Sequence, residues 1–169
     1  TRRTALAGQQ LSVLLSEPAR RSGIIPAEGP LDIVYEDGDI IVLNKQPGVS
    51  VHPGPGHYDD TLGNFLLDYY IKKGHAGDFH PVHRLDRGTS GLIVAAKHPY
   101  AQEQLKHQLH TESFYRSYLA VCEGIPLPPA GVVDSPIARA PDSLMLRVVC
   151  PEGLPARTRY NTLQTTQSR

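Results

Sequence analysis

Two strand-forming segments joined by a short turn constrain the fold more than any other feature of this chain. The segments LDIVYE (31–36) and DIIVLNK (39–45) are rich in β-branched residues, which favour an extended backbone. Between them stands an Asp-Gly-Asp turn at 37–39, which is typical of a tight connection between antiparallel strands. The pattern predicts a β-hairpin and therefore a sheet.

Apolar residues at helical spacing predict two helices. The first covers about 61–73, and the second runs from about Pro99 to Glu112 with proline in its first turn. In the first helix apolar side chains fall at i, i+3, i+4 and i+7: Leu62, Phe65, Leu66 and Tyr69. In the second they form a narrower stripe: Ala101, Leu105 and Leu109. The adjacent pair Tyr69 and Tyr70 is expected to serve packing.

Further strands are predicted on both sides of the second helix. They are GLIVAAK (91–97), SYLAVCEG (117–124), MLRVV (145–149) and ARTRYNTL (156–163). The first of these does not alternate with polar residues, which predicts burial on both faces. Because strands outnumber helices and hairpin turns recur, the expected fold class is α+β: a mixed, largely antiparallel β-sheet with flanking helices.

Composition is that of an ordinary soluble globular protein. The longest apolar runs are too short to span a bilayer, so no membrane partner is expected. No segment has the features of a secretion signal. Cys122 and Cys150 are isolated in the sequence and are expected to be reduced in a cytoplasmic protein; a disulfide between them is the alternative. Cys122 is expected to lie in the core.

Formal net charge is zero, which argues mildly against a nucleic-acid partner. The charges are nevertheless segregated along the chain. Residues 135–169 carry five arginines against two carboxylates, whereas residues 31–60 carry six carboxylates against one lysine. Local fields of this kind can steer a polyanion even when the sum cancels, so charge leaves the partner open.

The chain is expected to contain one main domain preceded by a different segment. Residues 1–29 hold a short apolar strand (LSVLL, 11–15) and a linker rich in Pro, Arg and Gly. The main domain is expected at 30–169, and the absence of a closing element after its last strand predicts that it is incomplete at its C-terminal side.

A carboxylate between two arginines marks the candidate site. Asp86 lies between Arg84 and Arg87, and a Gly-Thr-Ser-Gly turn at 88–91 leads directly into the apolar strand. The alternative to a functional site is a surface loop whose charges pair with one another in solvent. The tight turn places Asp86 at the rim of a buried sheet, and a carboxylate beside cations stays ionised. That state suits a nucleophile better than a general acid.

The same stretch carries a resemblance to a known family. HRLDRGTSG followed by LIVAAK is similar to the signature of the RluA-type pseudouridine synthases. Four further segments resemble that family in the same order: 30–67, 114–124, 131–149 and 156–163. One short motif is weak, whereas five ordered segments are specific. The first 29 residues resemble the tail of an S4-like RNA-binding module, with an unrelated boundary remnant as an equal alternative.

The resemblance implies an RNA-modifying isomerase of the pseudouridine synthase catalytic fold, which turns uridine into pseudouridine in structured RNA. Asp86 is then the catalytic carboxylate, attacking either the base or the sugar anomeric carbon. Arg84 reaches into the RNA where the target nucleotide is flipped out, and Tyr118 packs on the flipped uracil. His83, which precedes Arg84, is expected to orient the loop by hydrogen bonding and is predicted to be a substrate-binding residue together with Arg84 and Tyr118. No metal and no other cofactor is implied.

The substrate implied is ribosomal RNA of the large subunit, because the loop His-Pro-Gly-Pro-Gly at 52–56 resembles those members more than members acting on transfer RNA. Two departures stand out. Arg116 replaces a lysine common in the family. The later Gly-Arg-Thr-His-Gln motif, which supplies a basic partner for the aspartate, has no counterpart before Arg169. The 169-residue piece is therefore expected to be inactive by itself.

Two other functions compete with this interpretation. The first is an RNA-binding domain of the same ancestry without turnover. The second is a metal-dependent hydrolase built from a histidine-rich region: His52, His57, His75, His80 and His83. Their spacing fits no zinc template. Ser90 lacks the nucleophile elbow of a serine hydrolase. The uridine modified and the oligomeric state stay open.

Overall fold

The computed structural model describes residues 4, 6–10, 12, 22–109, 111–143 and 146–166. The chain divides into two compact units, Thr1–Arg116 and Ser117–Arg169. The strand expected at 11–15 lies outside the described residues except for Ser12. No helix among the described residues is both long and apolar enough to cross a membrane.

The first unit is built on a four-stranded antiparallel sheet. Its strands are β1 (Ile33–Glu36), β2 (Ile40–Lys45), β3 (His80–Pro81) and β4 (Gly91–Ala96), in the order β1-β2-β4-β3. The hairpin of β1 and β2 is confirmed. Its turn is closed by Asp37, whose carboxylate accepts from the backbone N–H groups of Asp39 and Ile40 at 2.8 Å each.

Two helices complete the first unit: α1 (Leu62–Lys72) and α2 (Pro99–Gln108). Both predicted helices are confirmed, although α2 ends four residues earlier than expected. Thr111 explains the early end, since its side chain donates to the Gln108 carbonyl at 2.9 Å and this local bond competes with a continued helix.

The core of the first unit lies between α1 and one face of the sheet. It consists of Ile41, Leu43, Val51, Leu62, Leu66, Leu67, Tyr70, Phe79, Ile93 and Ala95. Tyr70 is fully buried and Tyr69 packs at its edge, so the expected packing role of this pair is confirmed. The expected burial of β4 on both faces is wrong: Ile93 is buried, but Leu92 is 59% exposed, because an antiparallel sheet can leave one face to water.

The second unit consists of two strand pairs. β5 (Ala130–Asp134) pairs antiparallel with β8 (Arg157–Asn161), and β6 (Ile137–Arg139) pairs antiparallel with β7 (Arg147–Val149). The strands predicted at 145–149 and 156–163 are confirmed over β7 and β8; residues 144 and 145 lie outside the described part. The mixed, largely antiparallel α+β class is confirmed.

The strand predicted at 117–124 is wrong. Residues 117–122 have no regular secondary structure, and the ladders found among the described residues of the second unit join only the two strand pairs named above. Cys122, expected in the core, is exposed. A segment rich in β-branched and aromatic residues forms a strand only where a neighbouring strand supplies hydrogen bonds.

Candidate active site

Asp86 lies on the loop that connects β3 to β4; residues 82–90 are called the Asp86 loop. The loop leaves the sheet through a bond from the Val82 N–H to the Val94 carbonyl (2.9 Å), and Leu85 is buried beneath it. A bond from the Thr89 N–H to the Asp86 carbonyl (3.0 Å) closes the turn. The Asp86 side chain is exposed, at the rim of the sheet as the sequence predicts.

A second loop, residues 46–52, supports the Asp86 loop through Gly48 and Arg87. The Gly48 N–H donates to the Arg87 carbonyl, and Arg87 Nε donates back to the Gly48 carbonyl, both at 2.8 Å. Gly48 has φ +87°, a left-handed backbone that favours glycine. The Arg87 guanidinium is thus engaged with backbone, and among the described residues no cation lies within 4.0 Å of the Asp86 carboxylate.

Lys45 is the residue behind both loops, and sequence reasoning missed it. Its side chain is 1% exposed, and Nζ donates to the carbonyls of Gln46 (3.0 Å), Val49 (2.9 Å) and Arg87 (3.3 Å). Burial lowers the pKa of Lys45, and the negative charge of Asp86 acts against that shift. One buried cation therefore holds the two loops together and contributes positive potential at Asp86.

The sequence did carry a signal for Lys45. Strand β2 alternates between partly exposed and buried positions, with Ile41, Leu43 and Lys45 on the buried face. A lysine at the third inward position of an otherwise apolar row needs buried hydrogen-bond acceptors, because an isolated charge inside a protein is strongly unfavourable. The carbonyls of the neighbouring loops are those acceptors.

His83 belongs to the Asp86 loop, and its side chain packs against β4. Its Nε2 accepts from the Val94 N–H at 3.3 Å, which assigns the proton to Nδ1, and the ring meets Phe114 edge-on at 5.8 Å. Burial lowers the pKa of His83, and the positive charge of Arg116 acts in the same direction. A neutral imidazole in this place ties the loop to β4 and so orients the loop backbone. Contact between His83 and the substrate stays a prediction.

The predicted site residues are divided between the two units. His83, Arg84 and Asp86 share one loop of the first unit, and Arg84 is exposed like Asp86. Tyr118 belongs to the second unit, where its ring is 61% exposed. Arg84, Asp86 and Tyr118 thus have accessible side chains, and the roles of these residues stay predictions.

The histidines of the histidine-rich region have contacts of other kinds. His52 lies edge-on to Phe79, His57 pairs with Asp60 at 2.7 Å, and His75 packs on Tyr70 with 4.7 Å between ring centroids. Within the part of the chain that the structure describes, no group of three or more His, Cys, Asp or Glu is placed to hold a metal ion.

Comparisons with known proteins agree on one family. The family model for RNA pseudouridylate synthase matches residues 39–169. A ribosomal large subunit pseudouridine synthase D of Escherichia coli O6:H1 is 41% identical over 159 residues, which covers 94% of this chain and 48% of that protein. An uncharacterized RNA pseudouridine synthase of Bacillus subtilis is 38% identical and covers 90% of this chain and 54% of that protein.

One solved structure adds a match at the level of the fold. Human RNA pseudouridylate synthase domain containing 4 superposes with a TM-score of 0.55 at 27% identity, covering 80% of this chain and 54% of that one. The chain spans about half the length of the curated relatives that it matches.

Proposed function

Because the chain belongs to the RNA pseudouridylate synthase family, we propose that its protein isomerises uridine to pseudouridine in structured RNA, with Asp86 as the attacking carboxylate. The observation that carries this proposal is the exposed Asp86 on a loop held from behind by the buried ammonium of Lys45. Such a loop presents an accessible carboxylate in a fixed place before substrate arrives, which lowers the entropy lost on reaching the reactive geometry.

The reaction is an isomerisation and needs no oxidant or reductant. The bond between N1 of uracil and C1′ of ribose breaks, a bond between C5 and C1′ forms, and the proton lost from C5 is balanced by one gained at N1. A carboxylate can assist by adding either to the base or to C1′ and leaving again when the new bond has formed. Both routes are compatible with an exposed Asp86.

Arg84 and Tyr118 are proposed to hold the flipped nucleotide. A base inside a helix is shielded by its neighbours, so an enzyme that acts on it must extrude it and stabilise the extruded state. The exposed guanidinium of Arg84 suits contact with the RNA where the nucleotide has left. The exposed ring of Tyr118 suits stacking on uracil.

Large-subunit ribosomal RNA is the proposed substrate, in a cytoplasmic protein. Support comes from the relatives named ribosomal large subunit pseudouridine synthase D and from the loop at 52–56. The test is pseudouridine mapping in ribosomal RNA from cells lacking the gene and from cells complemented with wild type or Asp86→Asn. At least one large-subunit site should be lost and restored by wild type alone. Unchanged ribosomal sites, with losses in transfer RNA, would contradict the choice of substrate.

A further inference from the structure

A cleft of about 350 Å³ opens in the first unit beside the loop at 46–52. Its first wall is the segment 22–25, its second wall is formed by His52, Pro53 and Tyr58, and Phe79 completes the lining. We call it the Tyr58 cleft. None of these residues has a part in the chemistry proposed for Asp86.

The walls of the Tyr58 cleft are tied together by one buried amide. Asn64 is fully buried, and its Nδ2 donates to the Ile25 carbonyl of one wall at 2.7 Å and to the Tyr58 carbonyl of the other at 2.8 Å. The first wall is also fixed by a bond from the Ser22 N–H to the Asp78 carboxylate at 2.8 Å. The cleft is therefore formed in advance, which reduces the ordering needed for binding.

The lining is aromatic and apolar. The Tyr58 side chain is 66% exposed, and His52 lies edge-on to Phe79 with 5.0 Å between ring centroids. Burial lowers the pKa of His52, and the charge of Arg84 lowers it further, so the imidazole is neutral at neutral pH. Neutral aromatic rings of this kind bind unstacked bases without demanding one sequence.

The cleft is connected to the Asp86 loop. The loop at 46–52 is bonded to Arg87 through Gly48 and ends at His52 in the cleft wall. Arg84 lies on the Asp86 loop, which is bonded to the loop at 46–52, and its positive charge acts on His52 in the cleft wall. We therefore expect an RNA backbone attracted by Arg84 to lie near the cleft. This positive charge favours a polyanionic occupant over an apolar polypeptide.

We propose that the Tyr58 cleft binds one unpaired base of the RNA substrate, distinct from the uridine that Asp86 attacks. The cleft volume lies at the low end of the range of about 300–1,000 Å³ typical of small-molecule pockets, which suits a single nucleobase. The inference deepens the proposed function and rests on it, since RNA is the assumed ligand. It assigns substrate positioning to the loop at 52–58.

The first test is photo-crosslinking of the full chain to a large-subunit ribosomal RNA transcript containing 4-thiouridine, followed by mass spectrometry of the peptides. A nucleotide adduct on the peptide containing 52–58 is expected. Adducts only on the Asp86 loop would overturn the cleft proposal and leave the proposed function intact. Protection of 52–58 from hydrogen exchange by an added apolar peptide but not by the transcript would indicate a polypeptide occupant and would overturn it as well.

The second test separates binding from chemistry. Tyr58→Ala removes a stacking ring, and Ile25→Trp fills the cleft from a side chain that is 63% exposed. In the full-length protein that carries this chain, both should raise KM about tenfold, with kcat retained. Tyr100→Ala, at a tyrosine of α2 that is 59% exposed, is the matched control and should leave KM unchanged. An unchanged KM in both cleft variants would contradict the proposal.

The proposed function can be wrong even if the proposal for the Tyr58 cleft is right. If the full-length protein that carries this chain binds the transcript but forms no pseudouridine in it, the proposed function is wrong for that RNA. The crosslinking result then still decides the cleft, because adduct formation does not need turnover.

Discussion

The two units of the chain differ in how their residues are held. In the first unit α1 packs on the sheet, and every fully buried apolar side chain of the described residues belongs to it. In the second unit the strands pair, but β5, β7 and β8 show mostly exposed side chains. Packing therefore fixes the place of Asp86, whereas Tyr118 lies in a segment without regular structure. Candidate site residues can therefore belong to regions that differ in how much side-chain packing holds them.

The largest expected effect is on the core of the first unit. Leu66→Ala removes a fully buried side chain and should lower the free energy of unfolding by about 3 kcal/mol, since it leaves a cavity between α1 and the sheet. Leu119→Ala, at a leucine of the second unit that is 86% exposed, should change it by less than about 0.5 kcal/mol. Urea denaturation of both variants measures the contrast, and equal losses would refute it.

Removal of the buried cation should have the next largest effect. Lys45→Met keeps the side-chain length but removes the ammonium donor from the carbonyls of Gln46 and Val49 and from that of Arg87, which keeps only the Gly48 N–H. The free energy of unfolding should therefore fall by about 2 kcal/mol. Turnover should fall as well, because the two loops lose their common anchor. Lys106→Met, at an exposed lysine of α2, is the control. Denaturant unfolding and turnover equal to those of the control would contradict the role of Lys45.

The smallest expected effect concerns His83 and pH. Its folded-state pKa is lowered, so the unfolded state binds more protons, and stability rises with pH through the window between the folded pKa and the ordinary value near 6.5. Protonation would remove the acceptor of the Val94 N–H and add a positive charge near that of Arg116. Below that window the stabilisation by neutral His83 is lost.

His83→Gln tests this linkage. The variant should be less stable than wild type at pH 7, and the difference should shrink at pH 5. Denaturant unfolding at both values gives the comparison, and the same measurement on His107→Gln, on exposed α2, corrects for general histidine titration. A difference that is constant with pH would show that His83 is not held neutral.

Much of the first unit could be predicted because local pattern and tertiary packing agree there. The β-branched hairpin and the spacing of Leu62 and Leu66 correspond directly to β1, β2 and α1. The position of Asp86 at the rim of the sheet could be predicted from the turn before β4, which has a glycine at each end. These features depend on neighbours close in sequence, so periodicity detects them.

The remaining features depend on distant partners that periodicity does not reveal. Leu92 is apolar, as is typical of a buried strand position, but lies on the exposed face of β4. Residues 117–122 have the composition of a strand but no neighbouring strand to pair with. Asn64 and Lys45 act through carbonyls of separate loops. Their polar side chains at buried positions were the available signal, and only the folded chain identifies the acceptors.

The most direct measurement is tritium release from ribosomal RNA labelled with tritium at C5 of uridine, using the full-length protein that carries this chain and its Asp86→Asn variant. The substitution keeps the side-chain volume and removes the charged oxygen pair, so release should fall by at least about a thousandfold while RNA affinity stays within a few fold. Asp142→Asn, at an exposed aspartate of the second unit, should behave as wild type. Release by Asp86→Asn at the wild-type rate would contradict the assignment of Asp86 as the attacking carboxylate.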